Sequence, residues 1–129
     1  MKIENVEVQS ISQAYGTPVY VYSLAELRRS IAEIRPLAQV VRYAMKACSN
    51  RSILKEMKAK GVTIDAVSVF EIERAFKAGF RPKDICFTSD VFFNQEDADY
   101  CLQKNIYVNC GTLGMLDEYG QALKQKKFL

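Results

Sequence analysis

The sequence predicts an α/β fold, namely the amino-terminal half of a (β/α)₈ barrel. Short apolar segments alternate with amphipathic helical patterns along the 129 residues, which is typical of successive βαβ units around a parallel sheet. The predicted strands end at a regular interval of 21 or 22 residues, near Lys46, Ser68, Ser89 and Cys110. No G-x-G-x-x-G segment marks a dinucleotide-binding fold. The uniform units therefore favour the barrel over a doubly wound sheet, which stays open as an alternative.

The first 38 residues are predicted to form a leading strand and helix ahead of the barrel units. The segment of residues 17–22 is short and rich in β-forming side chains. Ser23, followed three residues later by Glu26, has the pattern of a capping box at a helix start. Pro36 is expected to end that helix, because proline cannot continue it.

Residues 39–129 are predicted to hold the first four βα units. The predicted strands are residues 40–46, 62–67, 84–88 and 106–110. The predicted helices are residues 52–60, 70–78 and 95–104, with a last helix beginning at Thr112. Gly61 and Gly79 stand where a helix commonly ends. Eight such units need roughly 200 to 250 residues, so residues 1–129 are expected to be a single partial domain.

The predicted strands are apolar for nearly their whole length, as in sheets that are covered on both faces. Half a barrel is therefore expected to leave an uncovered apolar face and two open sheet edges, which favour association. We expect the chain to end before a fifth strand is completed.

Composition excludes several classes of function. The net charge is only +3 and the basic residues are scattered, so we expect no nucleic-acid partner. There is no apolar stretch long enough to span a membrane and no signal peptide, which predicts a cytoplasmic protein. The chain has no histidine and its four cysteines have no C-x-x-C spacing. Histidine-based triads are thereby excluded, and no metal site is expected.

Lys46 is the leading candidate for chemistry. It ends the apolar run of residues 40–46 and is followed by a small polar turn. The carboxyl ends of strands are where α/β folds place their active sites. A partly desolvated amine there can lose its proton and attack the carbonyl group of a cofactor. The competing interpretation is an ordinary strand-end lysine that reaches solvent.

Four segments resemble the fold-type III pyridoxal-phosphate decarboxylases, and among them the diaminopimelate decarboxylases. The segments are Tyr43-Ala44-Met45-Lys46-Ala47-Cys48-Ser49-Asn50, Asp65-Ala66-Val67-Ser68 with Glu71-Ile72-Glu73-Arg74-Ala75, Ile85-Cys86-Phe87-Thr88-Ser89-Asp90-Val91, and Val108-Asn109-Cys110-Gly111 with Met115-Leu116-Asp117. They occur in the family's order and spacing. The resemblance covers nearly all of residues 15–121.

The resemblance implies that Lys46 binds pyridoxal 5'-phosphate covalently and is catalytic. It implies a catalytic and cofactor-binding role for Asp65, and cofactor contacts for Ala44 and Glu71. A helix-capping or ion-pair role is the rival for Asp65, and a capping or solvated role is the rival for Glu71. The implied reaction converts meso-2,6-diaminopimelate to L-lysine and carbon dioxide, in an enzyme that is a homodimer at full length.

Two further hypotheses stay open. Ornithine, arginine and carboxynorspermidine decarboxylases share the lysine strand, so the amino-acid substrate is one of several. Alternatively, the chain is a non-catalytic module that associates through the open edges of a half barrel. The family's ring-stacking histidine, glycine-rich phosphate cradle and pyridinium-binding glutamate are expected beyond residue 129. The 129-residue chain alone is therefore expected to be inactive.

Overall fold

The computed structural model describes residues 1–89 and 94–126, so Asp90 and Val91 of the third resembling segment lie outside the described residues. The chain divides into two units, residues 1–39 and residues 40–129. The first unit contains β1 (Lys2–Ile3), β2 (Val6–Glu7), α1 (Val8–Tyr15), α2 (Leu24–Ile34) and a 3₁₀ turn (Arg35–Leu37). β1 and β2 pair as an antiparallel hairpin. The end of α2 directly before the turn that contains Pro36 confirms the predicted helix stop.

The start of α2 is capped by two side chains. Ser23 Oγ accepts a hydrogen bond from the Glu26 N–H at 3.1 Å, as the sequence predicts. The carboxylate at this helix start is that of Glu4 rather than the predicted Glu26, and it accepts from the Ser23 hydroxyl at 2.6 Å and from the Ala25 N–H at 3.0 Å. These hydrogen bonds lower the pKa of Glu4. Glu26 instead pairs with Arg29 at 2.5 Å.

The predicted leading strand at residues 17–22 is wrong. This segment is irregular, and it belongs to neither of the two sheets in the described ranges 1–89 and 94–126. Tyr20 is 91% exposed there, and Pro18 has no N–H to donate to a neighbouring strand. β-forming side chains therefore do not make a strand where no neighbouring strand pairs with them.

The second unit is built on four parallel strands in the order β3-β4-β5-β6, which confirms the predicted α/β class and sheet type. The strands are β3 (Arg42–Ala44), β4 (Thr63–Ala66), β5 (Ile85–Ser89) and β6 (Tyr107–Cys110). The helices are α3 (Arg51–Ala59), α4 (Val69–Lys77), α5 (Gln95–Lys104) and α6 (Leu113–Lys126). In the described part of the chain, no helix combines the length and apolar character needed to cross a membrane.

One face of this sheet packs against helices and forms the core. Tyr43, Ile64 and Ile85 occupy one row across β3, β4 and β5, since each is paired with the next. Ala66 and Phe87 are paired in the row above. The buried members of these rows are at most 1% exposed, and they cluster with buried residues of α3, α4 and α5. The alternation along each strand therefore points every second side chain to the helices.

The opposite face of the sheet is not the apolar surface that the sequence predicts. Its residues are Arg42, Ala44, Thr63, Asp65, Cys86, Thr88, Tyr107 and Asn109. They are half-buried or exposed, and most of them carry a polar or charged group. We call this surface the open face. The apolar pattern of the strands does not predict the character of the open face, because it combines the side chains of two faces that alternate along each strand.

Three helices of the second unit end in the same way. Gly61, Gly79 and Asn105 follow α3, α4 and α5 in the left-handed region, with φ of 73°, 94° and 54°. In each case the next residue donates its N–H to a carbonyl inside the helix, at 2.9 to 3.1 Å. These next residues, Val62, Phe80 and Ile106, are buried. Each helix end therefore turns the chain into the core just before the following strand.

Glycine is favoured by the positive φ after α4 but not within α6, so the same substitution has opposite effects at the two positions. Gly79→Ala forces an L side chain into the left-handed region, which costs about 1 to 2 kcal/mol. Gly120→Ala in α6 meets no atom within 4 Å and gains up to about 1 kcal/mol of helix propensity. Urea unfolding of both variants measures these changes. Equal shifts of one sign in the two variants would contradict the assigned helix ends.

Candidate functional site

Lys46 lies at the carboxyl end of the parallel sheet, just beyond β3. β3 ends at Ala44, two residues earlier than predicted, and Lys46 sits in a 3₁₀ turn formed by Met45–Ala47. Met45 is fully buried in the core, whereas Lys46 is exposed. Lys46 makes no ion pair or side-chain hydrogen bond with any residue in the described ranges. The described residues therefore leave the amine accessible and do not supply the desolvation considered above.

The polypeptide around Lys46 is held on both sides. Tyr43 packs against the core, and its hydroxyl donates to the Cys48 carbonyl at 3.1 Å. Burial raises the pKa of Tyr43, so the hydroxyl stays protonated and keeps this hydrogen bond at neutral pH. Asn50 caps α3 by accepting from the Ser52 N–H at 2.9 Å. The first of the four resembling segments, residues 43–50, thus contains one accessible amine between residues whose hydrogen bonds fix the backbone.

Asp65 lies on the open face of the neighbouring strand. Ala44 on β3 pairs with Asp65 on β4, which in turn pairs with Cys86 on β5. The turn that holds Lys46 also contacts β4. Asp65 is half-buried and forms no ion pair or side-chain hydrogen bond with other described residues. Lys46, Ala44 and Asp65 therefore share one corner at the carboxyl end of the sheet.

Glu71 takes part in the cap at the start of α4. Its Oε2 accepts from the Val67 N–H at 2.9 Å, while the Glu71 N–H donates to Ser68 Oγ at 3.3 Å. This reciprocal arrangement satisfies two N–H groups at the helix start. The structure brings Glu71 to the carboxyl end of β4, but one of its carboxylate oxygens is already engaged. The capping interpretation is favoured over cofactor contact.

The site includes residues that the sequence analysis did not single out. Arg74 on α4 donates to Ser49 Oγ at 2.7 Å, which joins the loop after Lys46 to the next helix. Tyr43, Ser49 and Arg74 all belong to the segments of the resemblance. Their place in those segments was the available signal, but Arg74 and Ser49 are 25 residues apart, which is too far for their pairing to be inferred from the sequence.

A cavity of about 150 Å³ lies at the other end of the sheet. It is lined by Lys58, Gly61, Val62, Thr63, Phe80, Arg81 and Asp84. These residues begin or precede β4 and β5, so the cavity lies at the amino ends of the strands. Neither Lys46 nor Asp65 lines it. Because barrel active sites lie at the carboxyl ends of the strands, we do not assign this cavity to the cofactor.

The arrangement matches a known protein family. The profile of the pyridoxal-dependent decarboxylase pyridoxal binding domain matches residues 7–129. The chain belongs to the pyridoxal-dependent decarboxylases. This membership confirms the predicted family and the expected cofactor, pyridoxal 5'-phosphate.

Diaminopimelate decarboxylases are among the relatives of this family member. The enzyme from Escherichia coli strain K12 is 45% identical over 111 residues, which cover 83% of this chain and 26% of the relative. The Streptomyces coelicolor enzyme is 39% identical over 124 residues, which cover 93% of this chain and 28% of the relative. The chain therefore spans about a quarter of the length of these curated relatives.

Solved structures agree with the sheet and helices described above. A diaminopimelate decarboxylase crystal structure matches 86% of this chain and 27% of its own, with a TM-score of 0.77 and 41% identity. The Helicobacter pylori diaminopimelate decarboxylase complexed with L-lysine matches 94% of this chain and 32% of its own, with a TM-score of 0.84 and 26% identity. These matches confirm the predicted barrel class, of which the described strands form one part.

Substitution of Glu71 separates its two possible roles in this decarboxylase family member. Glu71→Ala removes the acceptor for the Val67 N–H and should lower the free energy of unfolding by about 1 kcal/mol. Glu71→Gln keeps a carbonyl acceptor and should lower it by less than half as much, about 0.4 kcal/mol or less. Urea unfolding checks this order. If both variants unfold like the original chain, the cap contributes no stability and the assignment is wrong.

Proposed function

We propose that this chain forms the lysine-bearing part of a pyridoxal-phosphate decarboxylase that acts on diaminopimelate. The observation that carries the proposal is the exposed Lys46 in the turn after β3, whose last residue, Ala44, pairs with the half-buried Asp65 on β4. The identity of 45% with the Escherichia coli diaminopimelate decarboxylase supports the substrate. The structures of lysine and arginine decarboxylases are less than 25% identical to this chain and support the fold alone.

The described residues fit the carbonyl end of the cofactor. Lys46 offers a primary amine that no described residue engages, and such an amine can hold an aldehyde covalently. The Asp65 carboxylate is a hydrogen-bond acceptor that can orient the Lys46 ammonium or take up its proton. Ala44, the register partner of Asp65, places only a methyl group on the open face. When bound, pyridoxal phosphate supplies an electron sink for the electron pair left by departing carbon dioxide.

The open face suits polar chemistry better than a closed apolar core would. Thr88 and Asn109 are paired one row nearer the carboxyl end than the Asp65–Cys86 pair. Side chains in this row can hydrogen-bond a polar ligand next to Lys46. Lys46 would bind the carbonyl group and Asp65 would manage a proton beside it, while the turn of Met45–Ala47 holds the amine in place.

Reductive trapping tests the role of Lys46. The purified chain is incubated with pyridoxal phosphate, the adduct is made permanent with borohydride, and the modified lysines are mapped by mass spectrometry. Lys46 should be labelled in preference to a reference lysine outside the site, because the Asp65 carboxylate on the neighbouring strand can take up the proton that the amine must lose. Lys46→Arg should lose this preferred label, and Asp65→Asn should reduce it.

Lys60→Arg is the matched control for this experiment. Lys60 is exposed and follows α3, away from the carboxyl end of β3, so its replacement should leave the labelling of Lys46 unchanged. Uniform labelling of all exposed lysines would contradict the proposed cofactor role of Lys46.

A chimera tests whether residues 1–129 can serve as the lysine-bearing part of a diaminopimelate decarboxylase. Residues 1–129 replace the matching quarter of the Escherichia coli relative, and carbon dioxide release is measured from meso-diaminopimelate, ornithine and arginine. Release from diaminopimelate that disappears in Lys46→Ala is the expected result. Release from ornithine or arginine, but not from diaminopimelate, would favour the alternative decarboxylases. The 129-residue chain by itself should show no turnover, because the described strands enclose only one side of a site.

Association of the chain remains a separate proposal. β3 and β6 are the edges of the four-stranded sheet, and open edges can pair with a second copy. We propose that the isolated chain associates through these edges and that the full-length protein is a homodimer. Sedimentation of the isolated chain should show a defined dimer, and a concentration-independent monomer would contradict this. A cytoplasmic location stays a prediction.

A further inference from the structure

Arg74 links α4 to the loop that follows Lys46. Its Nη1 donates to Ser49 Oγ at 2.7 Å, across 25 residues of sequence. Ser49 lies three residues after Lys46 and directly before Asn50, the cap of α3. The hydrogen bond therefore connects the short segment between the 3₁₀ turn and α3 to α4, the helix that follows the neighbouring strand β4.

The acidic neighbours of Arg74 on α4 are engaged elsewhere. Glu71, one turn earlier, accepts from the Val67 N–H, and Glu73 accepts from the Tyr100 hydroxyl. Within the described ranges, Arg74 itself forms no ion pair. An exposed arginine can pair with a carboxylate three or four residues away on its own helix. Here the guanidinium instead holds a serine hydroxyl in the lysine loop.

We propose that Arg74 is a positioning residue for Lys46 and that it acts through Ser49. The segment of residues 45–50 is fixed on its β3 side by the hydrogen bond from Tyr43 to the Cys48 carbonyl. The bond from Arg74 fixes it on the α4 side. Two attachments to different elements limit the rotation of the turn, so the amine of Lys46 keeps its place relative to Asp65. The consequence for the cofactor rests on the function proposed above, whereas the effect on the loop does not.

Arginine suits this position better than lysine. Its planar guanidinium presents several N–H donors in a fixed arrangement, so one of them can meet Ser49 Oγ without ordering a flexible ammonium. A lysine at position 74 keeps the charge and an ammonium group that can donate, on a more flexible side chain. Arg74→Lys should therefore restore part of the effect that an apolar side chain removes.

Hydrogen exchange of the chain without cofactor tests the effect on the loop. The variants are Arg74→Met, Arg74→Lys, Ser49→Ala and the Ser49→Ala/Arg74→Met pair, with Lys77→Met as the control on the same helix. Amides of residues 45–50 should exchange about three- to tenfold faster in Arg74→Met, which corresponds to the loss of one hydrogen bond. Ser49→Ala should match it, the pair should add nothing further, and Arg74→Lys should be intermediate.

A second readout is the labelling of Lys46 by pyridoxal phosphate, expressed relative to Lys60 in the same sample. Arg74→Met should lower this ratio by about the same factor as it accelerates exchange, while Lys77→Met should leave both unchanged. Since Ser49→Ala removes a single oxygen, it keeps the test informative if Arg74→Met unfolds.

The outcomes separate the two proposals. Unchanged exchange of residues 45–50 in folded Arg74→Met and Ser49→Ala would overturn the positioning role. Exchange that rises equally throughout the sheet would overturn it as well, because the bond would then serve general stability. If the original chain shows no preferred label at Lys46, the proposed function fails, and the exchange result alone still decides the role of Arg74 in the loop.

Discussion

The parallel register of β3 to β6 is the constraint on which the site depends. A shift of one residue would move every side chain of a strand to the other face. In the observed register, Ile64, Ala66, Ile85 and Phe87 are at most 1% exposed and pack against the helices. Burial of apolar surface contributes roughly 25 cal/mol per Å². This strongly favours the observed register over one in which these side chains point to the open face. The same register leaves Asp65 on the open face, beside Ala44 and close to the turn of Lys46.

The residue proposed to react, Lys46, takes no part in the interactions by which the described residues stabilise the polypeptide around it. Core burial holds Met45, and the hydrogen bonds of Tyr43 and Ser49 hold the loop that follows it. Lys46 takes part in none of these interactions with described residues. Its amine is therefore available to a ligand without loss of packing, and the residues around it decide where that amine stands. Membership in the pyridoxal-dependent decarboxylases supplies the cofactor that we propose this amine binds.

The sequence predicted the features that arise from local pattern. Alternating apolar segments and helices indicated the parallel sheet, and Gly61 and Gly79 marked two helix ends because they adopt positive φ. Features that depend on distant partners were missed. Residues 17–22 have strand-forming side chains but no paired strand, Glu4 replaces Glu26 in the cap of α2 across about 20 residues, and Arg74 reaches Ser49 across 25. The polar open face was missed because an apolar segment of sequence does not show on which face of the sheet each side chain lies.

The most direct test of this account is a crystal structure of the borohydride-reduced adduct of the chain with pyridoxal phosphate. The strand register and the loop of residues 45–50 should together bring the Lys46 amine to the corner of the open face at Asp65. We expect the cofactor ring to be attached to Lys46 and to lie over the open face, with the Asp65 carboxylate within hydrogen-bond distance of the reduced amine. A ring attached to Lys46 but directed away from the open face, with Asp65 bound only to solvent, would contradict this arrangement.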